Sequence, residues 1–315
     1  MTGLRNVHEG LVDFKTWATD PHPRVGFGLP FFDANTRGGL ALAEVAMVMA
    51  VSSVGKTWLA LQAIVHNTSV PTLMVSLEMS WRQVVSRLAA ITTGVPTWDL
   101  EDALKQGQTP GQFYDTMTRF PLLLGTDHSA LSIKEISEAI KEAGDRLNQP
   151  IRLVVIDYLE LIGGSGLLTK TEQVDRASQK VKALAKDHDC SIVILHQVGK
   201  TDGSGGYEPL DLESGRYGGH QPCDQVVGAY VPRLNKNLTA AERQAVQGDI
   251  YFQLLKNRNG MAHPDGVRHT LSPHTGRITP YGVQVPGYAV QTDLFAPDPD
   301  TYYRDADFLE RAGWN

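Results

Sequence analysis

The sequence predicts an α/β fold in which a mostly parallel β-sheet is covered by helices on both faces. Two observations predict it. Short apolar runs of strand length, without polar alternation, recur at 45–50, 72–77, 151–156 and 191–195. Stretches with apolar residues at helical spacing lie between them. Strands that are apolar throughout and alternate with helices are typical of parallel sheets buried on both sides.

The remaining elements are predicted in chain order from spacing and capping residues. The polar stretch 95–118 is predicted to be irregular. Further strands are predicted at 121–124, 226–231 and 250–255. Helices are predicted at 11–18 and 58–65, after a cap at Ser80, after the Ser132–Glu135 capping box, and over Val174 to Leu184.

Length and composition allow one large domain or two small ones. The chain has 315 residues, of which 42% are hydrophobic. No apolar run approaches the ~20 residues needed to span a membrane, and the first ten residues lack the apolar core of a signal peptide. The two cysteines, Cys190 and Cys223, lack metal-ligand spacing. This pattern predicts a cytoplasmic protein without disulfide bonds.

The net charge of −6 does not exclude a nucleic-acid partner. Residues 292–315 contain six acidic residues and two arginines, a local charge of −4, which leaves −2 for the rest of the chain. A nearly neutral body can still concentrate positive charge on one surface.

A phosphate-binding loop is predicted at AVSSVGKT, residues 50–57, because it lies between an apolar strand and an apolar helix. Loop amides and a helix N-terminus attract phosphate, Lys56 would reach the β- and γ-phosphates, and Thr57 would bind Mg²⁺. Ala50 replaces the usual first glycine. The predicted nucleotide-binding residues are Ser52, Ser53, Val54, Gly55, Lys56 and Thr57.

Polar residues follow the other three strong strands: Glu78, Asp157 and Gln197. Ligands of open parallel sheets bind at the carboxyl ends of the strands, so these side chains are expected at one edge. Asp157 is predicted to hold Mg²⁺, Glu78 to activate the attacking water and Gln197 to sense the γ-phosphate. The alternative for each residue alone is an ordinary polar strand end.

Lys256 and Arg258 stand two residues apart at the end of the last predicted strand, in KNRNG. Two-residue periodicity places both on one face, with Asn257 on the other, before a turn at Asn259-Gly260. Two cations at a domain edge are suited to reaching a neighbour's γ-phosphate as an arginine finger. The alternative is a solvated basic strand end.

The order of these motifs resembles the DnaB-type branch of the RecA-like ATPases. The segments that carry the resemblance cover roughly residues 26–281, and the last of them also resembles the KNRFG signature of the bacterial RadA branch. The resemblance implies a RecA-like P-loop core that uses ATP and Mg²⁺, moves on single-stranded DNA and assembles into a hexameric ring with ATP sites at subunit interfaces. The segments are GLPFFDANTRGGL, AVSSVGKT, VSLEMSWRQVVSRLAA, VVIDYLELIGGSG, VKALAKDHDCSIVILHQV, DLESG and LLKNRNG.

The resemblance also implies the DNA-facing loops. These are the glycine-rich stretch 198–224, for which a loose surface connection is the alternative, and 163–170. Leu212 stands where the family often has a basic residue, which puts phosphate contact by that loop in doubt. The residues expected to contact DNA are Lys170, Lys200, Glu213, Gly215 and Arg216.

Three segments and one function are expected. Residues 1–25 form a linker that docks on a neighbouring subunit through Leu11, Phe14 and Trp17, or else folds on its own domain. Residues 26–283 form the ATPase domain, and 284–315 an acidic tail. The expected activity is ATP-driven translocation on single-stranded DNA with duplex unwinding. The alternatives are an ATP-switched recombination protein or loader, and a nuclease built on the same core.

Overall fold

The computed structural model describes residues 6–20, 24–110, 117–118, 120–125, 131–159, 162, 169–199, 205–214, 218–282 and 295–297. Its strands are β1 Arg24–Val25, β2 Leu40–Ala41, β3 Val45–Ala50, β4 Thr72–Ser76, β5 Gln108–Pro110, β6 Leu122–Gly125, β7 Leu153–Asp157, β8 Ser191–Gln197, β9 Gln225–Tyr230, β10 Asp249–Asn257, β11 His263–Leu271, β12 Ile278–Pro280 and β13 Phe295–Pro297.

The helices of the described residues are α1 Val7–Ala18, α2 Pro30–Asn35, α3 Lys56–His66, α4 Trp81–Thr93, α5 Thr97–Lys105, α6 Ile133–Leu147, α7 Lys170–His188 and α8 Ala240–Ala245, with short 3₁₀ turns at Leu212–Ser214 and Pro232–Leu234. The predicted caps at Ser80 and Ser132 are confirmed. Each hydroxyl accepts a hydrogen bond from the backbone N–H three residues on. No helix in the described ranges is long and apolar enough to cross a membrane.

Nine strands form one sheet in the order β12-β11-β10-β9-β3-β8-β7-β4-β6. The six strands from β9 to β6 are parallel to one another. From β9 outward through β10, β11 and β12 the pairing is antiparallel. The prediction of a mostly parallel sheet is therefore confirmed, and the antiparallel extension is an addition to it.

Helices cover both faces of this sheet, as predicted. The side chains of β3 alternate between two cores: Ala46, Val48 and Ala50 pack with α3 and α4, whereas Val45, Met47 and Met49 pack with α6 and α7. All six residues of β3 are fully buried. Such double burial is why the strand reads as a continuous apolar run.

The expectation that residues 95–118 are irregular is wrong for part of that stretch. It contains α5 and β5, and Leu100 of α5 packs against Ala89 and Ala90 of α4. Only Leu100 and Ala103 of α5 are buried, so the periodic signal was weak. β5 pairs antiparallel with β13, a piece of the expected acidic tail.

Strand boundaries also differ from the expected ones, by one to two residues. β7 includes Asp157 and β8 includes Gln197, so both residues belong to the strands they were predicted to follow. At the other end of the chain, α1 starts at Val7 and buries none of its residues. Cys190 and Cys223 are buried free thiols.

Candidate active site

Four parallel strands deliver the predicted ATP-site residues to one edge of the sheet. β3 leads into the loop 51–55, Glu78 follows β4, and Asp157 and Gln197 end β7 and β8. A cavity of about 480 Å³ opens at this edge. It is lined by Ser52, Ser53, Val54, Gly55, Lys56, Thr57, Trp58, Glu78, Met79, Arg87, Asp157, Arg233, Gln247, Leu271, Ser272 and Pro273.

The loop at 51–55 exposes the N-terminus of α3. Gly55 is the N-cap residue of α3, has a φ of 128°, and provides no side-chain cap. That φ strongly favours glycine, which explains why this position has no side chain. The first N–H groups of a helix lack partners within the helix and carry a partial positive charge. This end of α3 is therefore suited to an anion.

Lys56 lies over its own loop. Its ammonium donates hydrogen bonds to the carbonyl oxygens of Ala50, at 2.7 Å, and Val51, at 3.3 Å. Both carbonyls belong to the segment that carries the replaced glycine. These contacts use only backbone carbonyls, so the methyl group of Ala50 leaves them intact.

Thr57 and Asp157 form an oxygen pair beside the lysine. The Thr57 hydroxyl donates to Asp157 Oδ2 at 3.2 Å. Asp157 is 2% exposed, and burial, together with the negative charge of Glu78, raises its pKa from 3.8 to about 6. The Thr57 hydrogen bond, Lys56 and Arg87 oppose that rise. Because ionising this carboxylate costs free energy in the absence of a cation, a bound cation would stabilise its ionised form.

Arg87 lines the cavity and was not among the predicted site residues. It lies on α4, nine residues after Glu78, and its guanidinium sits over the Trp58 ring at 4.9 Å from the centroid. Burial lowers its pKa, while the charges of Asp157 and Glu78 act in the opposite direction. The available signal was the helical register, since the cap at Ser80 fixes which side of α4 faces the cavity.

Gln197 contacts the 51–55 loop but does not line the cavity. Its side-chain amide donates to the hydroxyl of Ser52. It therefore joins β8 to the phosphate loop, although it is not among the residues that line the cavity. The sequence placed it at the correct edge.

The far wall of the cavity comes from segments with no recognised motif. Arg233 follows β9 and donates to the carbonyl of Ser53 at 3.3 Å. Gln247 precedes β10, Leu271 ends the long antiparallel strand β11, and Ser272 and Pro273 follow it. These positions depend on the antiparallel extension, which the sequence reasoning did not foresee.

Lys256 and Arg258 are not brought to this cavity. Lys256 pairs with Val226 of β9, and Val226 pairs with Met47 of β3. Met47 lies three residues before Ala50, or roughly 10 Å along the strand at 3.3 Å per residue. The two cations therefore lie toward the amino edge of the sheet, away from the phosphate loop of the same chain.

The expected face of the KNRNG motif is confirmed. Lys256 donates to the carbonyls of His220, at 3.3 Å, and Gln221, at 2.8 Å. Arg258 donates to the Gln221 carbonyl and to the Asp224 carboxylate, both at 3.1 Å. Asn257 turns the other way, toward the carbonyls of Asn35 and Met261. Burial and the charge of Arg258 lower the pKa of Lys256.

The expected DNA-facing residues are only partly described. Lys170 is the exposed first residue of α7, and Glu213 is exposed in a 3₁₀ turn, 3.7 Å from the His220 imidazole. Lys200, Gly215 and Arg216 lie outside the described residues. The described parts of 198–224 are anchored: the Gln253 amide accepts from Leu210 N and donates to Leu210 O.

Comparisons with known proteins agree with this architecture. The family model of the DnaB-like helicase C-terminal domain matches residues 25–264. The chain is 30% identical over 187 residues to the replicative DNA helicase DnaB of Treponema pallidum, covering 56% of this chain and 41% of that protein. It is 26% identical over 304 residues to that of Buchnera aphidicola subsp. Acyrthosiphon pisum, covering 90% of this chain and 63% of that protein.

The fold is also similar to that of a solved structure of a DnaB-like replicative helicase. The TM-score is 0.68 at 19% identity, over 88% of this chain and 67% of that chain. This likeness confirms a RecA-like fold. The chain aligns with less than two thirds of the Treponema and of the Buchnera protein. With a phosphate loop, a Thr57–Asp157 pair and an antiparallel extension on one sheet, and with most of its length matched, the chain belongs to the DnaB-like helicase C-terminal domain family.

Proposed function

We propose that the chain is an ATP-driven motor that translocates on single-stranded DNA and separates duplex strands. One observation carries the proposal: a single cavity unites the phosphate-loop lysine, the Thr57–Asp157 pair and Glu78 at one sheet edge. Membership of a DnaB-like helicase family supports the choice of DNA as the substrate. We place the activity in the cytoplasm.

The residues of the cavity fit a nucleotide triphosphate and Mg²⁺. The uncapped N-terminus of α3 and the Lys56 ammonium provide donors and positive charge for phosphate. The oxygens of Thr57 and Asp157, 3.2 Å apart, are the ligand type that Mg²⁺ takes. When bound, Mg²⁺ would neutralise charge on the β- and γ-phosphate oxygens.

Each side chain then has a distinct role in the proposed hydrolysis. Lys56 holds the phosphates, and Thr57 with Asp157 holds the cation. Glu78 orients a water molecule and accepts its proton. Arg87 lies beside both carboxylates, where its positive charge favours the ionised form of Asp157. Gln197 holds the loop through Ser52. Apart from the proton transfer to Glu78, these contributions are positional and electrostatic, as phosphoryl transfer requires.

We further propose that the chain works as a ring, a hexamer, in which Lys256 and Arg258 complete the ATP site of a neighbour. The register supports a role in trans, because these cations lie away from the loop of their own chain. The exposed apolar residues of α1, Leu11 and Phe14, support docking of the 1–25 segment on a neighbour. Residues 26–283 then act as the ATPase domain and 284–315 as an acidic tail.

The DNA contacts are proposed for the loops that leave the ends of β7 and β8. Lys170 is exposed at the start of α7 and can pair with a phosphate. Lys200, Gly215, Arg216 and Glu213 belong to the glycine-rich connection between β8 and β9. Positive charge on both loops would follow the DNA backbone without reading its sequence.

A forked-duplex unwinding assay tests the function. With ATP and Mg²⁺, the protein should separate the strands of a fork with single-stranded tails, and Lys56→Ala should not. The matched control is Arg243→Ala, which removes an exposed arginine of α8 away from the cavity. ATP-dependent DNA binding without strand separation would favour a recombination protein or loader. DNA cleavage with Mg²⁺ and no ATP would favour a nuclease.

A further inference from the structure

Asp224, the residue before β9, makes contacts that the proposed hydrolysis does not use. Its side chain is buried, with 6% of the residue exposed. One oxygen, Oδ2, accepts from the Val45 N–H at 2.8 Å and from the Lys182 ammonium at 2.6 Å. The other, Oδ1, accepts from the Arg258 guanidinium at 3.1 Å. One carboxylate therefore joins two cations to the start of β3.

Arg258 is held on one side and open on the other. Its backbone N–H donates to the Asp224 carbonyl at 2.9 Å, and its guanidinium also donates to the Gln221 carbonyl. The side chain nevertheless remains 47% exposed. A free arginine side chain loses rotamer entropy when it binds, and a guanidinium already held in place loses less. The contacts thus orient a cation that still faces solvent.

The charges around Asp224 explain why its carboxylate matters for that orientation. Lys182 also donates to the carbonyl of Ala43 at 2.9 Å, so it is fixed beside the same carboxylate. Lys256 lies two residues before Arg258, and its ammonium donates to the carbonyls of His220 and Gln221. Without the negative charge of Asp224, Arg258 would be repelled by two neighbouring cations.

We propose that Asp224 is a positioning residue that orients Arg258 toward the ATP site of a neighbouring subunit. This inference rests on the proposed role of Arg258 in trans. Asp224 does not line the chain's own cavity, and of the three groups that its side chain binds only Arg258 has a proposed role in hydrolysis. Its loss should lower hydrolysis in the neighbour's site while its own nucleotide binding is unchanged.

Subunit mixing tests this role. Asp224→Asn should lower kcat roughly 100-fold, the size expected when a catalytic group is misplaced by about an ångström. The KM for ATP should not change. Mixed with Lys56→Ala subunits, which carry an intact Arg258, Asp224→Asn subunits should regain activity. Mixed with Arg258→Ala subunits they should not, because neither partner supplies an oriented arginine.

Two controls separate the outcomes. If Arg258→Ala and Lys56→Ala fail to restore each other in rings shown to co-assemble, the shared-site function is wrong. If they do restore each other, but Asp224→Asn recovers with Arg258→Ala or keeps wild-type kcat, the role of Asp224 is wrong. Asp249→Asn is the matched variant: Asp249 is also 6% exposed but pairs with Arg268. It should restore activity to Arg258→Ala subunits.

A second variant covers loss of folding. Asp224→Asn leaves Lys182 near-buried without its carboxylate partner, whereas Asp224→Asn with Lys182→Met removes both charges together. This double variant should fold and bind nucleotide. In the mixing assay it should behave as Arg258→Ala does: it should regain activity with Lys56→Ala subunits and not with Arg258→Ala subunits. Recovery of activity when it is mixed with Arg258→Ala would overturn the proposal.

Discussion

Both edges of the sheet carry cationic side chains, but the surroundings of those cations differ. At the carboxyl edge, Lys56 and Arg87 share a cavity with the carboxylates Glu78 and Asp157. At the amino edge, Arg258 pairs with a buried carboxylate and faces solvent. The first edge combines charges of both signs with a concave surface, as a ligand-binding site requires. The second presents a cation to solvent, which is the arrangement expected if Arg258 completes a site on another chain, as proposed.

The largest expected effect tests the amino edge. Arg258→Ala should lower DNA-stimulated hydrolysis about 10³–10⁵-fold, the usual contribution of an arginine finger. Nucleotide affinity, measured with a fluorescent ATP analogue, should stay near wild type because the cavity is intact. Arg243→Ala on α8 is the control and should have wild-type turnover. Wild-type turnover of Arg258→Ala itself would mean that KNRNG is a solvated strand end.

Glu78→Gln tests the carboxyl edge and should have the next largest effect. The amide keeps the shape of the side chain but cannot accept a proton, so hydrolysis should fall about 10²–10⁴-fold. Equilibrium binding of ATP should remain. Glu101→Gln, an exposed carboxylate on α5, provides the comparison. Loss of nucleotide binding in Glu78→Gln would show that Glu78 is structural.

The raised pKa of Asp157 predicts an effect on stability that is specific to the carboxyl edge. Ionising this residue costs the folded state free energy, so the cost is absent below pH 4 and complete above about pH 6. In EDTA at pH 7.5, Asp157→Asn should therefore raise the free energy of unfolding by roughly 2–3 kcal/mol. It should also abolish hydrolysis.

Urea unfolding at several pH values checks this prediction. The gain in Asp157→Asn should shrink as the pH falls from 6 to 4. Asp145→Asn, an exposed aspartate of α6, is the control and should show no such gain. A destabilised Asp157→Asn at pH 7.5 would contradict the assigned cost of ionisation.

The smallest effect compares the two ends of α7. Lys170 starts this helix and Lys186 lies in its last turn, and both are exposed. If DNA follows the loop after β7, Lys170→Ala should lower the salt slope of single-stranded DNA binding by about 0.7, one phosphate contact. Lys186→Ala should leave the slope unchanged. Equal effects from both lysines would place the DNA elsewhere.

The sequence was most informative for strands that are buried on both faces. The doubly buried strands β3, β7 and β8 contain continuous apolar runs in the sequence, and the residues at their ends could be assigned to one edge of the sheet from that pattern. The KNRNG face also followed from the two-residue period. These features are local, so a linear pattern can encode them.

What could not be predicted depends on long-range contacts. Arg87 joins the site because α4 packs against α3, and Arg233 because the chain turns back after β9. Asp224 meets Lys182 across 42 positions and Val45 across 179. No short sequence pattern marks such a pairing. The helix α5 was missed for a different reason: only Leu100 and Ala103 are buried, so its apolar periodicity is weak.

The position of Asp224 has a mechanical consequence. It binds the first N–H of β3, and at the other end of that strand the carbonyl of Ala50 receives Lys56. Between these contacts β3 is fully buried in the centre of the sheet, about 20 Å of close-packed strand that resists compression. In the proposed ring, each β3 would be a rigid connection between two sites. Its carboxyl end contacts Lys56 of the chain's own nucleotide site, and its amino end contacts Asp224, which holds the Arg258 that reaches a neighbour. If the proposed ring and the role of Arg258 in trans hold, successive ATP sites are connected through protein by these strands, a route that does not pass through DNA.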